Sequence, residues 1–146
     1  MSRASLVELT NLCVICDGSR VLVQDKIGCG VVFPGGHVEP GESMLASVIR
    51  EMREETGLTI EHPTLCGIKD WMREDGTRFI VALYRADRFT GELNSSEEGR
   101  MFWIEREEFA KTNTIWGMKD VLRVCDEAEY SEMFYSEEKE GWVLLG

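Results

Sequence analysis

The sequence predicts an α+β fold in which a mixed β-sheet packs between helices. Three observations lead there. The chain has 146 residues, the size of one ordinary domain, so residues 1–146 are read as a single unit. Its β-rich and helical runs follow one another in the order β-β-β-α-β-β-β-α, which suits a mixed sheet covered by helices. Apolar residues make up 43% and charged residues 29%, enough for a folded core and against a mostly disordered chain.

The elements are justified in turn. Residues 6–16 and 20–24 are β-rich and flank Asp17-Gly18, a hairpin signal. Residues 30–33 form a short strand that ends at Pro34-Gly35-Gly36, where the chain must turn. Residues 43–56 read as a helix, capped by Ser43 and stopped by Gly57, which supplies a left-handed backbone. Residues 65–72 and 78–86 are strands around Glu74-Asp75-Gly76, and 102–104 is a short strand after the acidic loop 95–99. A helical turn is expected at 105–110, a second long helix at 113–129, and a hairpin from 133–135 and 142–145.

Composition narrows the function. Lys plus Arg number 16 and Asp plus Glu 27, giving a net charge of −11. Such a surface repels the backbone of a nucleic-acid polymer, so none is expected as partner. A phosphorylated small molecule is compatible if cations come from solution. No apolar run approaches the ~18 residues that span a bilayer, and residues 1–8 lack the apolar stretch of a signal peptide. The expectation is a cytoplasmic protein without a membrane partner. The five cysteines fit reduced thiols. Cys13 and Cys16 have C-x-x-C spacing but no second pair, and three residues apart on a strand they point to opposite faces, so they read as packing.

The helix at 43–56 carries the chemistry. At 100° per residue, Leu45, Val48, Ile49 and Met52 form the core-facing stripe. Glu51, Glu54 and Glu55 gather on an adjacent face. Taken alone, such a patch reads as a solvated acidic face. It does not help the helix, since like charges at i,i+4 cost roughly 0.2–0.5 kcal/mol per pair. A divalent cation reverses that cost, and hard oxygen ligands without His or Cys suit Mg²⁺ or Mn²⁺.

The surrounding residues sharpen this. From Gly36, five residues lead to Glu42 and seven more to Arg50-Glu51-Met52-Arg53-Glu54-Glu55-Thr56-Gly57-Leu58. Seven fixed positions at about 6–7% background each give a chance match of order 10⁻⁸ per window. This segment, 36–58, resembles the signature of the Nudix hydrolase family. Met52 stands where the family more often has Leu, Ile or Val, and it fills the same core space.

The resemblance implies an α/β/α sandwich and a set of site residues. The carbonyl of Gly35 and the carboxylates of Glu51, Glu54 and Glu55 are implied metal ligands, with Glu54 and Glu55 in the catalytic group. Arg50 is expected to orient a carboxylate, and Glu42 to support the loop–helix geometry. Gly36 lets the backbone approach a metal or phosphate. The family often adds a Glu from a later loop as ligand or base; Glu98 is chosen over Glu97 because its Glu-Gly step precedes the Trp103 strand. A solvated loop acid is the alternative.

The implied reaction is Mg²⁺- or Mn²⁺-dependent hydrolysis of a nucleoside diphosphate linked to a group X. The short chain looks like the MutT-like branch, which takes nucleoside triphosphates, including oxidised ones such as 8-oxo-dGTP, to a monophosphate and pyrophosphate. The alternatives are a dinucleoside polyphosphate or ADP-ribose pyrophosphatase, and, in another class, a non-catalytic nucleotide sensor. Phe33, Trp71 and Trp116 are candidates to stack on the base, or core residues. Asn113 is a candidate to read a purine edge, or a helix N-cap. The edge 133–135 with 142–144 is a candidate homodimer contact.

Overall fold

A computed structural model describes residues 2–27, 29–95, 97 and 99–146. The strands are β1 (Val7–Asp17), β2 (Arg20–Lys26), β3 (Gly30–Val32), β4 (Gly35–His37), β5 (Leu58–Glu61), β6 (Thr64–Met72), β7 (Arg78–Ala86), β8 (Arg88–Gly91), β9 (Gly99–Glu105), β10 (Glu132–Ser136) and β11 (Gly141–Leu145). The helices are α1 (Met44–Thr56), α2 (Arg106–Phe109) and α3 (Met118–Asp126). Among the described residues no helix is long and apolar enough to cross a membrane.

The main sheet runs β11-β10-β6-β7-β1-β2-β3, with β4 also on β1 and β9 also on β2. β1 is its spine. On one edge it pairs in parallel with β7 from Val7↔Arg78 to Ile15↔Ala86. On the other it meets β4 over Thr10–Leu12 and β2 only at Cys16 and Asp17. The sheet therefore forks along β1, and Phe33-Pro34 carries the chain across the fork from β3 to β4. β5 and β8 form a separate ribbon with Ile60 opposite Phe89.

Two apolar layers flank the sheet. One gathers Leu12, Val14, Cys16, Val81 and Leu83 with Val121 and Val124 of α3. The other gathers Cys13, Ile15, Ala82 and Tyr84 with Val48 and Met52 of α1. The alternation along β1 places Cys13 and Cys16 on opposite faces, as their spacing predicts. Burial raises the pKa of both thiols, and all five cysteines are free of disulfides.

α1 keeps its expected ends. Ser43 Oγ accepts from the Ala46 N–H at 2.9 Å, and Gly57 closes the helix at φ 81° with its N–H donated to Arg53 O. Its buried face is turned from the expected stripe. Leu45 is 47% exposed, whereas Ser47, Val48, Met52 and Thr56 are buried. The polar pair can go inside because both hydroxyls are satisfied. Ser47 donates to Met44 O and accepts from Asn11 Nδ2 at 2.8 Å, and Thr56 donates to Met52 O. Met52 is fully buried. Met52→Ala is expected to cost about 2–5 kcal/mol, read as a lowered urea midpoint at unchanged slope.

The second long helix starts later than the sequence suggests, at Met118 rather than 113. Residues before it are tied to β3: Val31 donates its N–H to Asn113 O at 3.3 Å and bridges Thr114. Trp116 and Gly117 then take φ values of 58° and 73°, which end any helical path. Gly117, not Asn113, is the N-cap. The C-terminal hairpin forms with Met133 opposite Leu144 and Tyr135 opposite Trp142.

Candidate active site

The site begins where β4 lies flat on β1. A Cβ at Gly35 would strike the carbonyl of Asn11 and approach Leu12 Cα to 2.9 Å, and one at Gly36 would fall on the Glu51 carboxylate. Two successive glycines are therefore needed: one lets strand meet strand, the other lets a helix carboxylate reach strand backbone.

Arg50 organises the acidic face. Its Nε and Nη2 donate to the two oxygens of Glu42 at 2.9 and 2.7 Å. Nη1 donates to Glu51 at 3.0 Å and Glu54 at 3.1 Å, and Nη2 also donates to His37 O at 3.0 Å. One planar cation thus fixes the end of β4, the loop before α1 and two carboxylates of α1. Glu42 also accepts from the Glu39 N–H at 2.9 Å. These bonds, that of Arg50 foremost, hold its carboxyl down to about 2, and the same pairing raises Arg50 further.

This sets an acid limit. Glu42 titrates lower in the folded chain than its ordinary value of 4.5. Its stabilising contribution is complete above about pH 4.5 and lost as pH falls through about 2. The stability gap between the wild type and Glu42→Gln is expected to be constant above that window and to close within it, as followed by urea unfolding at stepped pH. A gap that persists at pH 2 would contradict the assignment.

Glu51 has a side chain 12% exposed and Glu54 one 58% exposed. Glu55 is half-buried beside them. Glu98 lies outside the described residues, and Glu97 is exposed. Among the described residues no three His, Cys, Asp or Glu side chains converge closely enough to form a metal cluster by themselves; two of the glutamates converge on Arg50 instead. The donor chemistry nevertheless fits a hard divalent ion. The Glu51 carboxylate, on one helix face with those of Glu54 and Glu55, meets a glycine backbone at a cradle that a Cβ would fill. Glu51, Glu54, Glu55 and the Gly35 carbonyl are the groups that would hold it.

Beside β4 the fork opens into a cavity of about 710 Å³. Gly35, Gly36 and His37 form its acidic-site end, and Phe33, Trp71, Phe79, Trp116, Tyr135 and Trp142 supply aromatic surface. Phe33 is buried and packs on Phe109 with centroids 5.2 Å apart, so it is a core residue that borders the space. Trp71 stacks on Phe79 at 4.4 Å and meets Trp142 edge-on at 5.8 Å. Trp116 is 57% exposed at the rim. Asn113 is not among the lining residues, and its carbonyl is engaged by Val31.

Lys69 and Trp142 also line the cavity; the sequence does not single out Lys69, and it places Trp142 only in a candidate homodimer edge. The ammonium of Lys69 lies 5.4 Å from the centre of the Trp71 ring and 4.9 Å from that of Trp142, and it donates to Trp116 O. The one available signal was a Lys-Asp step inside an otherwise apolar strand.

A forked mixed sheet between α1 and α3, with this glutamate helix at its glycine strand, defines an α/β/α sandwich of the Nudix type. The chain belongs to the NUDIX domain family, whose model matches residues 8–125. It is 40% identical over 104 residues to the uncharacterized Nudix hydrolase YvcI of Bacillus subtilis, covering 67% of this chain and 65% of that protein. It is 25% identical over 113 residues to the phosphatase NudJ of Shigella boydii, covering 73% and 74%. Among solved structures, the mutator MutT protein of Bacillus halodurans superposes with a TM-score of 0.74 at 27% identity, over 95% of both chains. The MutT NUDIX hydrolase of Burkholderia pseudomallei shares the fold at a TM-score of 0.68 and 22% identity, over 82% of this chain and 98% of that one.

Proposed function

We propose that this chain is a divalent-metal-dependent pyrophosphohydrolase of nucleoside diphosphates linked to another group. Its substrate is a nucleoside triphosphate, oxidised forms such as 8-oxo-dGTP included, and its products are a monophosphate and pyrophosphate. The observation that carries this reading is the adjacency of two surfaces. Glu51, held by Arg50, lies against Gly36 of β4 at one end of a cavity that also carries Trp71, Phe79, Trp116, Tyr135 and Trp142. A polyphosphate suits the first surface and a base the second.

The chain's own groups divide the work. Arg50 holds Glu51 and Glu54 toward β4, and Glu42 locks Arg50. Glu54, the most exposed of the paired carboxylates, accepts the proton of the attacking water, with Glu55 and Glu98 as further members of the carboxylate set. When bound, Mg²⁺ or Mn²⁺ supplies positive charge for the phosphate oxygens and acidifies water. The cavity walls exclude solvent from the base and fix the distance between base and phosphates.

The test is hydrolysis of a nucleotide panel, with ADP-ribose and a dinucleoside tetraphosphate included, under Mg²⁺ or Mn²⁺ in ¹⁸O-labelled water. Monophosphate and pyrophosphate from triphosphates, with label in one product, are expected. Turnover of none of these compounds would overturn the proposal.

A further inference from the structure

Lysine is among the residues least often buried without a counter-charge. Lys69 is 3% exposed. It sits in mid-strand, in a row with Thr10, Val81 and Met133 across β1, β7, β6 and β10. No carboxylate lies within ion-pair distance of it among the described residues. Desolvation alone accounts for the fall of its pKa to about 8. The other charged or titratable groups lining the cavity are Lys26, His37, Tyr135 and Glu137.

The ammonium is held rather than merely enclosed. Two indole rings flank it, and the Trp116 carbonyl accepts one of its three protons. Trp116 presents that carbonyl from a left-handed backbone at φ 58°, a conformation a bulky residue adopts only at a cost. Two donors remain, and among the described residues no acceptor side chain is bonded to them. Ammonium donors accept nothing. The edge of a flat ring placed among these indoles must therefore offer an acceptor.

We propose that Lys69 is the specificity-determining residue for the base, donating to the carbonyl oxygen at purine C6 or pyrimidine C4 so that bases with an oxygen there (guanine, hypoxanthine, uracil) are taken over those with an amine there (adenine, cytosine). This rests on the nucleotide-hydrolase reading and deepens it. An exocyclic amine at the same place would set donor against donor in a desolvated site and leave both unpaired. Sites built around one hydrogen bond reject analogues that lack it far more strongly than apolar pockets reject a change of size. A phosphate contact is the rival use of a lysine, but the indoles around this one suit a flat ring better than a polyphosphate.

The experiment compares matched pairs, ITP with ATP and UTP with CTP, for the wild type, Lys69→Met and Lys69→Gln. In the wild type kcat/KM for the oxo member should exceed the amino member by at least about 30-fold. Both variants should bring the pair within about 3-fold, Lys69→Met by losing the oxo substrate and Lys69→Gln because its amide can donate to the one or accept from the other. A uniform rise in KM for all four nucleotides would make Lys69 a phosphate contact and overturn the inference, as would equal use of both members by the wild type. A second measurement needs no variant and no turnover: quenching of tryptophan fluorescence by inosine and adenosine monophosphates in metal-free buffer. Tighter inosine monophosphate binding by a chain that hydrolyses nothing would sink the hydrolase reading and keep this one. Equal binding, or none, would sink this one whatever the enzyme does.

Discussion

Glu54→Gln is expected to lower kcat by at least about 100-fold, with a thermal midpoint within a few degrees of the wild type. Glu55→Gln is expected to behave alike. The amide keeps the size of the side chain and removes both the charge that binds a hard cation and the basicity that takes a proton. The fold should hardly register the change at Glu54, whose side chain is 58% exposed. Its tie to Arg50 is an i,i+4 pair at 3.1 Å, a class worth about 0.3–0.5 kcal/mol. Steady-state kinetics at saturating Mg²⁺, set beside thermal unfolding, separate the two effects. Near-normal turnover in Glu54→Gln would remove it from the catalytic set, and a large loss of stability would make it a structural residue.

The adjacent glycines of β4 should fail in opposite ways. In Gly35→Ala the new Cβ meets the backbone of Asn11 and Leu12, which cannot swing aside. The strand pairing must shift, at a cost of about 1–3 kcal/mol. In Gly36→Ala the atoms nearest the Cβ belong to the end of the Glu51 side chain, which can rotate. That protein should unfold at nearly the wild-type urea concentration. Its displaced carboxylate should raise the Mg²⁺ concentration for half-maximal activity by at least about tenfold, roughly 1.4 kcal/mol of binding energy. Equal losses of stability in the two variants, or an unchanged metal requirement in Gly36→Ala, would contradict the placement of Glu51 against β4.

The helix and its acidic face were legible because their signals are local. Ser43, the apolar period and Gly57 define α1 within fifteen residues, and the glutamates ride on it. The part of α1 that misled was Leu45. Periodicity counts apolar residues, whereas Ser47 and Thr56 are buried because each hydroxyl finds a partner, one of them from β1. β4, β5 and β8 span only three or four residues, too short for a period-two pattern, and each depends on a partner strand. Residues 113–117 look helical in composition, but Val31 holds them to β3. The cavity was the least legible feature. Lys69 and Trp142 are far apart in sequence and meet because β10 pairs in parallel with β6 and antiparallel with β11.

Arg50 has one more consequence. A helix that displays several anions side by side is a poor candidate to form unaided, and the fingers of this guanidinium already rest on Glu42, Glu51 and Glu54. The repulsion is thus offset from within before any ion arrives from solution. Maturation of the architecture and arming of the chemistry are separate events: a newly made copy stripped by EDTA should be shaped but idle, and a circular dichroism trace indifferent to the chelator would record that separation.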